Sequence, residues 1–176
     1  MGLVHIYCGD GKGKTSAAVG LAVRAAGCGK RVVIARFLKT DNSGEVEILK
    51  KIPEVTLISC RKTFGFVRSM DEETKRECAA YHRELFGEAV KLAEHADLVV
   101  FDEIMAAVNY GMVPERDVLE FLENRPGRDQ TDGLEIVLTG RDPSEKLIAA
   151  ADYVSEICKR KHPFDRGIMA RRGVEY

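Results

Sequence analysis

Residues 3–20, LVHIYCGDGKGKTSAAVG, decide how the chain is read. Leu3–Cys8 is a short apolar run with β-branched and aromatic members, the pattern of a buried strand. Gly9, Gly11 and Gly13 alternate through the next segment, and an alanine-rich helical pattern starts at Lys14. Strand, glycine loop and helix in that order suit phosphate: several backbone N–H groups converge on one concavity only where no Cβ blocks positive φ or the approach of the ligand. The helix N-terminus adds its dipole, Lys14 a point charge, and the Thr15 hydroxyl a ligand for Mg²⁺. The usual spacing GxxxxGKT would put its first glycine at position 8, where this chain has Cys8. The loop is therefore damaged, coincidental or of different purpose.

Outward from this stretch, Gly27 and Gly29 stop the helix and RVVIARFL (31–38) supplies a second strand, completing a βαβ unit. EVEILKK reads as a short helix, VTLISC as a strand, and DEETKRECAAYHRELFGEAVKLAEH as a long amphipathic helix with acids at its start. ADLVVFDE is an apolar strand ending in two carboxylates. VPERDVLEFLEN reads as helix, RPGRDQTDG as a turn-rich loop, LEIVLTGR as strand, PSEKLIAAA as helix and YVSEICKRK as a last strand. Strands apolar throughout, separated by helices, predict an α/β fold of three layers like that of P-loop nucleotide triphosphatases, with a mostly parallel sheet covered on both faces. One domain over residues 1–176 is expected. Residues 161–176 are irregular, and such a segment either frays or lies over a site.

Lys+Arg (27) and Asp+Glu (28) nearly cancel, so no overall field recruits nucleic acid or an anionic membrane. Five cysteines without a CxxC pair suit a reducing compartment. No apolar run approaches a membrane span and no signal segment precedes the first strand, so a cytoplasmic protein without membrane attachment is expected.

Asp102 and Glu103 follow directly on an apolar strand, where a nucleotide-binding sheet places its metal-directed acid. Either acid is a candidate Mg²⁺ ligand with Thr15; the bland alternative is a pair of acids at a helix start. The candidate ATP-binding set is the loop, namely Gly9, Asp10, Gly11, Lys12, Gly13, Lys14, Thr15 and Ser16, together with Arg141. Lys39, Thr40, Asn42 and Ser43 follow the second strand, and they either touch ribose or base or form an Asx turn that starts the next helix. Nothing so far separates kinases, motors, GTPases and group transferases. A guanine-selecting NKxD element is missing, which disfavours a GTPase. A small-molecule kinase or ATPase remains open, with Asp102 or Glu103 as base and Arg141, Arg166, Arg171 and Arg172 to close on phosphates. A non-catalytic ATP-binding regulator also remains open.

HIYCGDGKGKTSAAVGLAVRAAGCGKRVVIARFLK, LVVFDEI, ENRPG, EIVLTGRDP and KHPFDRGIMARRGVEY, in this order and over essentially the whole chain, resemble the P-loop ATP:corrinoid adenosyltransferases. The loop of that family typically reads GNGKGKT, with a small non-glycine residue before it, so Cys8 is family-like. The resemblance implies an enzyme whose ATP lies reversed in the loop. The Co(I) of a reduced corrinoid attacks the ribose 5′-carbon, and triphosphate leaves. Lys14 and Arg141 are then the expected catalytic groups, since a Co(I) nucleophile needs no general base and the task is positioning plus neutralising the leaving group. The resemblance further implies a homodimer and an electron-donating flavoprotein as the source of Co(I).

In the family, aromatic residues pack against the lower face of the corrin. Here Phe64 and Phe66 flank Gly65, where better-known members carry a Phe and a Trp at the same spacing. The bland alternative turns one ring to the core and the other to solvent. Arg166, with Asp165 and Arg171, is a candidate contact to nucleotide or corrin amides from the C-terminal segment. Some family members carry a segment before the first strand that folds over the corrinoid; here that cap is expected to be absent or supplied otherwise, and HPFDRGIMARRGVEY either covers the site or only closes the subunit against its partner. His5 alternates within its strand, and His82 and His95 are expected on the polar side of the long helix, without metal-ligand spacing.

Overall fold

The computed structural model describes residues 2–128 and 132–176. Residues 129–131, within the loop expected over 125–133, lie outside the described part.

Six parallel strands, β1 (Val4–Cys8), β2 (Val32–Arg36), β3 (Val55–Leu57), β4 (Leu98–Asp102), β5 (Glu135–Thr139) and β6 (Tyr153–Glu156), form one sheet in the order β3-β2-β4-β5-β1-β6. Register runs Val4 to Ile136 between β1 and β5, and Val32 to Leu98 between β2 and β4. Between them in sequence lie α1 (Lys14–Gly27), α2 (Gly44–Leu49), α3 (Glu72–Ala93), α4 (Ile104–Asn109), α5 (Glu115–Glu123) and α6 (Glu145–Ala149).

All five residues of β2 and of β4 are buried, as expected of strands covered on both faces. Alternate residues serve opposite cores. Leu98 and Val100 join Ala18, Ala22 and Ala26 of α1, whereas Val99 and Phe101 join Phe86 and Ala89 of α3 and Val118 and Phe121 of α5. Alanine at every fourth position lets α1 lie close on the sheet, which brings its first turn to the carboxyl end of β1. The long helix α3 starts where its acids and cap require, the Asp71 carboxylate accepting from Thr74 N at 2.8 Å.

Three expectations are corrected. Glu103 and the following residues turn straight from β4 into α4, a six-residue helix foreshadowed only by the alternative that the two acids stand at a helix start; Glu103 takes φ 63° at the turn. The strand expected over 55–60 ends at Leu57, because Cys60 N turns to Asp41 Oδ1. His82 does not lie on the polar side of α3: it is buried among Phe37, Phe64 and Tyr81. His95 is exposed as expected. His5 stacks on Tyr153 at 4.7 Å and bonds Glu135, a structural cluster joining β1, β5 and β6.

Candidate functional site

The carboxyl ends of β1, β4 and β5 meet at the first turn of α1. β5 lies between β1 and β4, so Asp102 reaches the loop across the end of its neighbour, and Thr139 at the end of β5 bridges the gap. Thr139 Oγ1 donates to Asp102 Oδ1 at 2.7 Å and accepts from Glu103 N at 2.9 Å. Thr15 Oγ1 donates to the same Asp102 oxygen at 3.0 Å. Lys39 Nζ lies 2.7 Å from Thr15 Oγ1 and 2.5 Å from Asp102 Oδ2. Of the two acids, then, Asp102 is the one directed at Thr15. Glu103 caps α4, and its side chain makes no hydrogen bond among the described residues.

Lys14 is buried at the mouth of the loop, and its ammonium donates to the Gly9 and Gly11 carbonyl oxygens at 2.8 Å each. Burial pushes its pKa down from the ordinary lysine value; Glu103 opposes this, and the Arg141 and Lys39 cations reinforce it. The two carbonyls keep the charge stabilised within the loop.

Gly9 (φ 101°) and Gly11 are glycine for a reason the sequence reading did not give. A Cβ on either would meet the Ile157 carbonyl oxygen, at 2.5 and 2.6 Å. The chain beyond β6 packs flat on the loop, with Gly11 N donating to Ile157 O and Ile157 N to Cys8 O. Gly13, by contrast, has open space and φ 124°, so its demand is conformational. Asp10 also turns to this strap: its Oδ1 accepts from Lys159 N at 2.8 Å, which holds the carboxyl below its usual range. Arg141 approaches the Asp10 carbonyl at 3.5 Å.

A cavity of about 930 Å³ opens from this point. Its walls include Thr15 and Ser16 of α1, Lys39 and Asn42 after β2, Phe64 and Phe66, His82, and residues 173–176 of the C-terminal segment. Phe64 is half-buried against Tyr81, ring centroids 5.6 Å apart, whereas Phe66 is 87 % exposed. One ring thus anchors the segment and the other stands free. Arg36, 3 % exposed, organises the far wall: its guanidinium donates to Thr40 O and Ser43 Oγ at 2.8 Å each and faces Asp41. Ser43 Oγ donates a hydrogen bond to Glu45 Oε1 and makes no cap bond, so the stretch 40–43 is held by Arg36 and not by an Asx turn that caps α2.

The structure therefore brings Thr15, Ser16, Phe64 and Phe66 around one chamber, with Asp102 behind its wall, bonded to Thr15, and Lys14 folded back into the loop. It does not bring Arg166 there: that residue lies in a 3₁₀ turn at Pro163–Arg166, exposed and outside the walls of the cavity. Lys12 faces a smaller basic recess and pairs with Glu175 at 3.4 Å, and Arg171 pairs with the same carboxylate. Sequence reasoning missed Thr139 and Arg36. Thr139 carried a signal, a hydroxyl at the carboxyl end of an apolar strand just before Gly140. Arg36 carried one too, as a charge inside a strand otherwise apolar. Among the described residues no three His, Cys, Asp or Glu side chains cluster as a metal site, and no helix is long and apolar enough to cross a membrane.

The sequence matches known proteins over nearly its full length. The corrinoid adenosyltransferase of Escherichia coli strain K12 is 34% identical over 178 residues, covering 99% of this chain and 86% of that protein. The corrinoid adenosyltransferase CobA of Salmonella typhimurium strain LT2 is 34% identical, with the same coverage of both chains. The corrinoid adenosyltransferase of Pseudomonas aeruginosa is 31% identical over 99% of this chain and 84% of its own. With residues 1–176 matched by the ATP:corrinoid adenosyltransferase BtuR/CobO/CobP family, the chain belongs to that family and is an adenosyltransferase by descent.

Proposed function

We propose that the protein transfers the 5′-deoxyadenosyl group of ATP to the Co(I) of a reduced corrinoid and releases inorganic triphosphate. The observation that carries this reading is the shared chamber: Thr15 and Ser16 of the phosphate loop and the Phe64–Phe66 pair line one cavity of about 930 Å³. An acceptor on the aromatic side thus sits within reach of a nucleotide held on the loop side. The cobalt electron pair forms the Co–C bond as the bond from C5′ to the triphosphate oxygen breaks, and the electron pair of that broken C–O bond departs with the triphosphate. No proton moves at the reacting carbon, so no general base is required.

The residues have two tasks. Lys14, Lys12 and Arg141 neutralise charge on the departing triphosphate, and the backbone N–H groups at the start of α1 donate to it. Phe64 and Phe66 present an apolar surface to the lower face of the corrin, and residues 173–176 cover the chamber from the other side. Thr15 and Asp102 suit Mg²⁺, since a hydroxyl and a carboxylate oxygen 3.0 Å apart are hard donors that leave positions for phosphate oxygens and water. Bound there, Mg²⁺ would supply further charge neutralisation to the leaving group. The reading carries with it an electron-donating flavoprotein, a homodimer and a cytoplasmic setting.

Product analysis tests it. Incubation with ATP and chemically reduced cobalamin should yield a light-sensitive Co–C bond and one inorganic triphosphate per turnover. ADP as the phosphorylated product would replace this reading with a kinase or ATPase. Lys14→Ala should lower turnover by roughly 100-fold or more while leaving the circular dichroism spectrum unchanged.

A further inference from the structure

The Lys39 ammonium occupies the position its two partners would offer to a divalent ion. Its nitrogen lies 2.7 Å from the Thr15 hydroxyl and 2.5 Å from an Asp102 carboxylate oxygen. Asp102 is 2 % exposed, and a carboxylate so deeply buried requires a counter-charge. Among the described residues, no other Lys, Arg or His nitrogen forms a salt bridge to it. Thr15 and Asp102 are also the pair that suits Mg²⁺, so ammonium and metal compete for the same oxygens. The backbone leading to Lys39 is itself under constraint: Leu38, a bulky residue, has φ 52°. The Lys39 stem, 23 % exposed, borders the large cavity and has room there for a second position.

We propose that Lys39 is a place-holding cation: it neutralises Asp102 until a divalent ion binds, and it then swings into the cavity to grip the triphosphate of the nucleotide. Metal and ammonium cannot share Asp102, because a dication a few ångströms from the ammonium repels it. The anion brought into the same chamber with the metal is the triphosphate, and it is the partner to which a displaced ammonium moves. Displacement follows from the geometry alone; the identity of the new partner rests on the adenosyltransferase reading. Lys39 thereby becomes a positioning residue for the leaving group, one that engages only after the metal is in place.

Mn²⁺ and inorganic tripolyphosphate are the probes. In nucleotide-free protein, Mn²⁺ titration followed by electron paramagnetic resonance should show Lys39→Met binding the ion about tenfold more tightly than wild type, since the competing charge is gone. With Mn²⁺ saturating, the same variant should bind tripolyphosphate about tenfold more weakly, and Lys39→Arg should restore most of that affinity. Unchanged or weaker Mn²⁺ binding by Lys39→Met would overturn the place-holding role, and unchanged tripolyphosphate affinity would overturn the second contact. Should Lys39→Met fail to fold, wild type still decides. Brief acetylation read by mass spectrometry should label Lys39 faster with Mn²⁺ than without, and slower again when tripolyphosphate is added, relative to Lys62. Labelling indifferent to Mn²⁺ overturns the proposal. If these shifts appear while no adenosylated corrinoid forms, the displacement stands and the adenosyltransferase reading falls; adenosylation with no shift gives the reverse.

Discussion

A methyl group at Gly11 would meet the Ile157 carbonyl oxygen at 2.6 Å and the Cys158 backbone at 2.9 Å. Neither neighbour is a flexible side chain, so the loop or the strap beyond β6 must move. Gly11→Ala is expected to lose about 1–3 kcal/mol of stability, read by denaturant unfolding, and a variant as stable as wild type would show that the strap does not rest on the loop. The sequence did announce that positions 9, 11 and 13 had to be glycine, but it assigned all three to the ligand. The partner backbone of Gly9 and Gly11 comes from the far end of the chain, and no local pattern names it. The aromatic pair was legible to a similar depth. Spacing placed Phe64 and Phe66 together, while their different settings arise from Tyr81 and His82 on α3. Phe64→Ala should cost about 2 kcal/mol, modest because the ring is only half-buried. Phe66→Ala should stay within about 0.5 kcal/mol of wild type yet raise the corrinoid KM by roughly three- to tenfold. Equal effects of the two changes on melting would remove the distinction between anchor and platform.

At the scale of elements, type and order were readable because apolar strands and amphipathic helices differ in period, and the glycines mark where α1 ends. Bounds and short pieces were not. α4 has six residues, a first residue after a left-handed Glu103, and no side-chain cap bond, so it presents less than two helical periods and no start signal. β3 stops at three residues because Asp41, itself held by Arg36, takes the Cys60 amide that would have extended it. The long helix α3 offers the clearest test of an element in isolation from the site. Gly87 lies in its interior with ordinary helical backbone, and no neighbouring atom lies within 4 Å of where a Cβ would be. Gly87→Ala should therefore stabilise the protein by about 0.5–1 kcal/mol, through reduced freedom of the unfolded chain and better helix propensity. The thermal midpoint should rise by about 1–4 °C. A lower midpoint would mean that a partner surface covers the helix at that point.

For the molecule as a whole, sheet order decides what the site can be. With β5 between β1 and β4, the phosphate loop and Asp102 are separated by one strand width, and Thr139 fills that gap with a hydroxyl. Strand order is a property of tertiary pairing, so the sequence could name both halves of the site but not the residue between them. The same coupling of helix to sheet buries His82. Its spacing from Cys78, Leu85, Phe86 and Ala89 already lies on the buried stripe of α3, and only its residue type suggested an exposed position. Packed among Phe37, Phe64 and Tyr81, with Nδ1 lacking a hydrogen-bond partner among the described residues, its pKa is pushed down by burial to about 4 from the ordinary 6.5. The unfolded chain therefore takes up a proton near pH 6.5 that the folded chain refuses until about pH 4. Folded stability is thus undiminished by this group above pH 6.5 and is lost as the pH falls through that window, by roughly 2 kcal/mol between pH 7 and 4.5. His82→Phe keeps an aromatic ring in the cluster and removes the titration. Its unfolding free energy should fall less than that of wild type over the same pH interval, by nearly the whole of that difference; parallel pH profiles would show that His82 is solvated in the folded protein.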